Sequence, residues 1–476
     1  MPQQPNIFLI MTDEHAPQAS EVYGHPYVKT PALRTLAESG VVFDAAYCNS
    51  PLCVPSRMAF MAGREVHRLE TWDNGSPLSS GIPTIAHYLA QSGYDTVLSG
   101  KMHFKGPDQL HGFERRLVND CCNPEINAPS WRQDRPGLGA LRRLTDAGPK
   151  ETAQSNRYDD QVEEQTLEYL RAYVSSSQDR PFALVTSFNA PHFPLTPRPE
   201  YFEHYIDIVT PPLSPPPTAS PMHPVHTRIQ RHFGLVDIPV ELNLRARAAY
   251  FALVNQTDDR IGRLVEYTRS LPLKRPTVTI YTADHGEMMG EHGLWWKNNF
   301  YEESVRVPLI VSCADWFPPR REPMPVTLVD LARTLVAIGN PAVPDEMFDG
   351  MNLLPYRAGR QGNPLRPVTS EYHAHSTQHS MRMIRQGQYK LNYVVGEPTQ
   401  LFDLHNDPHE WFDLSQDSRL QTVHNHLLTT LLQTWPENIE ERVQFSQEQR
   451  QWIHQANRVL STPIQYPWIP LSDGPG

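Results

Sequence analysis

Cys53 opens the run Cys53-Val54-Pro55-Ser56-Arg57-Met58, where Pro55 fixes φ early and predicts a short helix headed by the thiol. Backbone N–H groups and the helix dipole favour negative charge at such an end. Arg57, four residues on, adds a forked cationic donor, so a nucleophile and a tetrahedral-anion site are built together. Other residues of matching chemistry are spread along the chain. Asp13 and Asp284 are hard oxygen ligands and His285 is a nitrogen ligand, a set able to hold one divalent cation. Lys101, Arg57 and Lys297 offer positive charge to a sulfate or phosphonate, and His103 and His192 can carry protons. Together these types describe cleavage of an anionic ester.

Such residues act only if something gathers them. Ile7–Met11, Tyr94–Leu98, Phe182–Ser187 and Thr277–Tyr281 read as buried strands, and each runs into one polar cluster: Asp13, Lys101/His103, His192 and Asp284/His285. Helical patterns between them, among them 158–173 and 242–269, give a strand-then-helix order and predict a doubly wound α/β sheet. Ligands collect at the carboxyl ends of strands in such sheets, so all four clusters should meet on one edge. From about residue 365 the pattern changes to paired strands at 380–385 and 389–394 and a helix near 420–432. The expected division is a catalytic α/β domain over 1–364 and a smaller C-terminal α+β subdomain with its tail over 365–476. Residues 120–155 and the Pro-dense stretch 211–224 are expected as loops over the site.

Composition narrows the class. A hydrophobic share of 39% and a charged share of 20% fit a globular protein, and the net charge of −11 argues against a nucleic-acid partner. No apolar stretch approaches a membrane span, and the N-terminal segment lacks a basic region and a cleavage site. Five Cys without scaffold spacing fit a reducing compartment, so a cytoplasmic location is expected.

The Cys-x-Pro-Ser-Arg run resembles the signature of type I sulfatases, and the resemblance extends from residue 5 to about 415. Asp13 looks like the family's first metal aspartate, Lys101-x-His103 like its Lys-x-His pair, and Pro191-His192 like its later histidine. Asp284-His285-Gly286 is similar to its second metal pair, and Lys297 to its distal sulfate-binding lysine. The resemblance implies an alkaline-phosphatase-like fold and oxidation of Cys53 to formylglycine by a separate formylglycine-generating enzyme. It also implies one divalent cation held by Asp13, Asp284, His285 and the modified residue 53. Catalytic roles would fall to Cys53, Arg57, Lys101, His103, His192 and Lys297, with Arg57 orienting the nucleophile. Glu14 stands where many members carry a second Asp, which leaves its part as a ligand open, and a His in the second pair sets Mn²⁺ beside Ca²⁺.

Ser99–Glu114, Trp72-Asp73-Asn74 and Met383–Gly387 look like the choline-sulfatase branch. A quaternary ammonium needs an aromatic wall and a counter-charge. Trp131, Trp295 or Trp296 could be that wall, Glu371 the anion, and Asn74 a contact to the ester. The expected activity is hydrolysis of a sulfate monoester of a small alcohol. A phosphonate monoester or phosphodiester hydrolase and an inactive anion-binding homologue remain as alternatives. No membrane partner is expected, and a homo-oligomer is.

Overall fold

The structure, a computed structural model, describes residues 4–127, 140–176, 179–216, 222–313, 316–340, 342–356 and 362–460. Its strands are β1 (Asn6–Asp13), β2 (Gly40–Phe43), β3 (Ala46–Tyr47), β4 (Asp95–Gly100), β5 (Arg115–Val118), β6 (Phe182–Pro191) and β7 (Thr277–Ala283). They continue with β8 (Leu309–Ser312), β9 (Arg320–Glu322), β10 (Val326–Thr327), β11 (Val368–Tyr372), β12 (Met381–Gln386), β13 (Tyr389–Val394) and β14 (Gln400–Asp403). Eight form the central sheet in the order β5-β4-β6-β1-β7-β8-β2-β9. β8 pairs antiparallel with both of its neighbours and the other pairings are parallel, so the sheet is mixed.

β1 lies near the middle of the sheet, between β6 and β7, which explains its unbroken apolar run. Ile7, Leu9 and Met11 enter the core on one face while Phe8 and Ile10 enter the core on the other. The Val240–Ser270 helix covers the sheet and buries Tyr250, Phe251, Leu253 and Ile261. β11 to β14 make a separate antiparallel sheet in chain order, packed on the Gln421–Gln433 helix through Leu427 and Leu431. The expected α/β architecture with a smaller C-terminal α+β part is the one observed.

Topology then aligns the chemistry. β4, β6, β1 and β7 are consecutive and parallel, so their carboxyl ends, carrying Lys101, His192, Asp13 and Asp284, lie side by side. β6 runs four residues beyond the expected strand end and carries the backbone to Pro191, directly before His192. Cys53 starts the Cys53–Ala62 helix, whose ten residues are all buried and which ends at Gly63 with φ 65°. A left-handed Gly there closes the helix without Cβ strain.

Candidate active site

The helix head meets the strand ends at Cys53. Its Sγ lies 3.3 Å from His285 Nε2 and 3.8 Å from Asp13 Oδ1. Ser56 Oγ donates to the Asp284 carbonyl at 2.5 Å, which locks the first helical turn to the end of β7. One ligand atom each from Asp13, Cys53, Asp284 and His285 lies within 4.8 Å of the others, and all four residues are buried. Lys101 Nζ pairs with Asp13 Oδ2 at 2.9 Å and donates to Asn189 Oδ1 at 3.0 Å. His192 Nε2 stands 3.4 Å from Glu14 Oε2 and 3.9 Å from Asp13 Oδ1, and Lys297 Nζ stands 3.1 Å from Glu14 Oε1. The structure thus brings Asp13, Cys53, Arg57, Lys101, His192, Asp284, His285 and Lys297 into one buried centre.

Burial and charge act on each group differently. Burial would raise Asp13, but Lys101, His192, Arg57 and His285 around it hold its carboxyl well below the usual range. Asp284 is pushed up to about 7, by burial despite Arg57. Burial, with Asp13 nearby, pushes the Cys53 thiol up, so the unmodified residue is a neutral thiol at pH 7 and a poor nucleophile. Burial, with Lys297 beside it, lowers His285 to about 4, which leaves a neutral imidazole suited to a metal. Glu14 gives the clearest sign of an incomplete centre. Its buried carboxylate accepts no well-oriented hydrogen bond at either oxygen, and burial raises it to about 8. The carboxylates of Asp13 and Asp284 fit a hard divalent cation such as Ca²⁺, and the His285 nitrogen moves the set away from all-oxygen coordination, which brings Mn²⁺ in beside it.

Two residues beside the centre hold left-handed backbone: Glu14 with φ 67° and His103 with φ 63°. Such conformations cost about 1 kcal/mol for a non-glycine residue and persist where surrounding contacts fix them. Glu14 N–H donates to Asp284 Oδ1 at 3.1 Å, and His103 N–H donates to Asp120 Oδ2 at 2.5 Å.

Residues 5–340 match the family model described as Sulfatase, and residues 290–437 match one described as N-sulphoglucosamine sulphohydrolase, C-terminal. A choline-sulfatase of Rhizobium meliloti (strain 1021) is 33% identical over 98% of this chain and 93% of its own length. The chain belongs to the sulfatase family. It is a sulfuric ester hydrolase. Human arylsulfatase K is 26% identical to this sulfatase over 89% of the chain and 82% of its own. Among solved structures, phosphonate monoester hydrolase from Silicibacter pomeroyi superposes with TM-score 0.73 at 20% identity, covering 90% of this chain and 95% of its own. BT4656 in complex with D-glucosamine-2-N,6-O-disulfate does so with TM-score 0.71 at 21% identity, covering 93% and 98%. These likenesses show the alkaline-phosphatase-like fold.

Several expected roles change in this sulfatase. Arg57 was expected to offer its guanidinium to the anion, but its donors are engaged: Nε to Asp284 Oδ2 at 2.8 Å, one terminal nitrogen to Asp13 Oδ2 at 2.9 Å, the other to the Lys101 carbonyl at 2.8 Å and Ser187 Oγ at 3.0 Å. It therefore joins the ends of β1, β4, β6 and β7 and positions the ligands. Glu371 was expected as the counter-charge for a quaternary ammonium, and the structure corrects this. Its carboxylate accepts from His67 N–H at 2.9 Å and Trp435 Nε1 at 2.8 Å and lies 3.0 Å from His67 Nδ1 and 3.2 Å from His373 Nε2. No acceptor capacity is left for a ligand. Asn74 Oδ1 accepts from Val54 N–H at 3.0 Å, so it caps the Cys53 helix beside the centre. Trp295 donates to Asn243 from a buried position, whereas Trp296 sits by Phe193 near Lys297. Trp131 lies outside the described residues.

His103 stands at one remove. Its amide is held by Asp120 and its imidazole lies by Cys122. Asp120, which also accepts from Met102 N–H at 2.8 Å and Arg116 at 2.8 Å, was missed because an Asp in a loop carries no distinctive spacing. Asn189 was missed as the partner of Lys101, although its place three residues before His192 was a usable signal.

Proposed function

We propose that this sulfatase hydrolyses a sulfate monoester of a small alcohol to the alcohol and inorganic sulfate, using formylglycine made from Cys53 and one cation, Ca²⁺ or Mn²⁺. The observation that carries the reading is the place of Cys53 Sγ, at a helix head within 3.3 Å of His285 Nε2 and 3.8 Å of Asp13 Oδ1. When present, formylglycine supplies an oxygen nucleophile that a neutral buried thiol does not, and the cation supplies positive charge for the sulfuryl oxygens. Lys101 and Lys297 border the centre, one paired with Asp13 and the other with Glu14, and would both hold the sulfuryl group. His192 donates its Nδ1–H to the Phe193 carbonyl at 2.6 Å and turns Nε2 to Glu14. Burial beside Lys297 and Lys101 favours the neutral ring, so Nε2 would first have to take up a proton, as the imidazolium, and then give it to the departing alcohol oxygen. His103, held on the Asp120 loop, is the base that restores residue 53 after transfer. Arg57 keeps Asp13 and Asp284 fixed throughout.

The relatives named choline-sulfatase and arylsulfatase K support sulfate esters as the class. A second reading, phosphonate monoester or phosphodiester hydrolysis by the same centre, is favoured by the phosphonate monoester hydrolases of Silicibacter pomeroyi and Agrobacterium radiobacter among the structural neighbours. A sulfate monoester and a phosphodiester each carry one negative charge, so one site can accept both. The test is turnover of 4-nitrophenyl sulfate, choline sulfate and phenyl phosphonate esters after co-expression with a formylglycine-generating enzyme, in Ca²⁺ and in Mn²⁺. Peptide mass across residue 53 is measured in parallel. Formylglycine with sulfate turnover supports the first reading, and a clear preference for phosphonate esters supports the second. An intact thiol with no turnover means an inactive anion-binding homologue.

A further inference from the structure

Arg143 lies on the short Arg142–Thr145 helix, which the fully buried Leu144 pins to the core. Its guanidinium carbon stands 3.8 Å from the centre of the Phe193 ring and 5.4 Å from that of Trp296. The Phe193 ring also has the His192 imidazole 3.9 Å away, centroid to centroid, and Lys297 Nζ at 5.3 Å. One ring therefore borders the leaving-group proton donor, a sulfuryl-binding ammonium and a further cation. Phe193 thus bridges His192 to Arg143, which puts the guanidinium one aromatic ring away from the atom that would meet the ester oxygen.

Several inward arginines among the described residues have carboxylates. Arg57 pairs with Asp13 and Asp284, Arg247 with Glu291 at 2.8 Å, Arg260 with Asp160 at 2.8 Å, and Arg450 with Asp73. For Arg143 no carboxylate among the described residues lies within ion-pair distance, and the titratable groups nearest in influence are Glu14 and Cys53 of the centre, both held toward their neutral forms by burial. Burial accordingly pulls it below the ordinary guanidinium value. A half-buried cation held over aromatic rings beside a reaction centre, with its forked donors unspent, suits an anion brought by the ligand. It also fills the aromatic faces that a quaternary ammonium would need.

We infer that Arg143 reads a second anionic group, a carboxylate or a further sulfate, on the alcohol half of the substrate, and that it disfavours a cationic alcohol such as choline. The inference rests on the sulfate-ester reading above. The guanidinium pairs with the distal anion while Lys101 and Lys297 hold the sulfuryl group, so the substrate is gripped at both ends.

The test compares wild type, Arg143→Gln and Arg143→Lys, each matured and metal-loaded, on 4-carboxyphenyl sulfate, 1,4-phenylene disulfate, 4-nitrophenyl sulfate and choline sulfate. Arg143→Gln is expected to lower kcat/KM roughly tenfold or more on one or both of the dianionic esters, mainly through KM. The better of the two identifies whether carboxylate or sulfate is read. 4-Nitrophenyl sulfate, whose alcohol half is uncharged, should lose far less, choline sulfate should improve, and Arg143→Lys should recover part of the loss. Equal losses on all four esters, or no loss on either dianionic ester, would overturn the inference while leaving the sulfatase reading intact. No turnover of any sulfate ester by the matured wild type would overturn that reading, and the inference with it.

Discussion

Glu14 and Glu371 are both fully enclosed glutamates, and they have opposite surroundings. Glu371 joins the second sheet to the rest of the chain with His67, His373 and Trp435 arrayed around its two oxygens. Burial would raise it, but His67 and His373 hold its carboxyl well below the usual range. Glu14 sits just past β1 with the Lys297 ammonium at 3.1 Å and His192 Nε2 at 3.4 Å, and burial carries it up to about 8. A buried charge held by four directed donors belongs to the architecture. A buried carboxyl poised near neutrality, kept on strained backbone beside groups of the reaction centre, can answer to what binds. Sequence reasoning favoured Glu371 for the ligand and left Glu14 open, since residue type alone does not reveal how many donors will surround a carboxylate.

The comparison can be broken most severely at residue 53. Cys53→Ala is expected to lower turnover by roughly three orders of magnitude or more while the circular dichroism spectrum stays that of wild type; full turnover would sink the scheme. Next comes Glu371→Ala, which strands four buried donors from three residues and should cost ~3–5 kcal/mol, read as a lower urea midpoint with kcat preserved in the folded fraction. Glu14→Gln should behave in reverse. Its urea midpoint without metal should match or exceed wild type, while kcat/KM falls at least roughly tenfold. A smaller effect is expected from the cation: saturating Mn²⁺ or Ca²⁺ at about a hundredfold over Kd should add ~2.7 kcal/mol of stability, and Asp13→Asn should reduce that gain.

The finest test is pH. Glu371 is depressed, so its contribution is present above the ordinary value of 4.5 and fades as pH falls through its folded value. His67 would be lowered by burial, but Glu371 raises it overall, so its contribution is full below 6.5 and is lost as pH rises through its folded value. The stability gap between wild type and Glu371→Gln should therefore be widest between about pH 4.5 and 6.5 and narrow toward pH 9. A gap that widens at alkaline pH would mean that His67 is not the charged partner.

Much of the sheet was readable because four apolar runs, each followed by a polar cluster, imply parallel strands with their polar ends on one edge, although the order β4-β6-β1-β7 was not readable. Strand ends blurred where backbone pairing outlasts the apolar signal, as in β6, which continues through Asn189 and Ala190. The Pro224–Phe233 helix went unread because it begins in a Pro-dense stretch and its Val225, Ile229 and Phe233 are set among His and Arg. At the site, residue type at the strand ends and the family resemblance singled out Asp13, Cys53, Asp284 and His285, which the structure gathers into one cluster. The task of Arg57 did not follow from them, since a guanidinium at a helix head serves an anion or the chain's own carboxylates depending on which side chains arrive from three other strands. Arg143 lay in a stretch read only as loop, and its aromatic neighbours are some 50 and 150 residues away in sequence.

The tie made by Arg57 has a consequence for how active molecules are counted. Because a single guanidinium grips the tips of four adjacent strands, a chain missing one crossover should lose the tie that sets Asp13 and Asp284 beside each other. Turnover in a preparation is thus a census of finished sheets. A partly refolded sample should contain fewer working molecules, each running at full speed, rather than a uniform population running slowly.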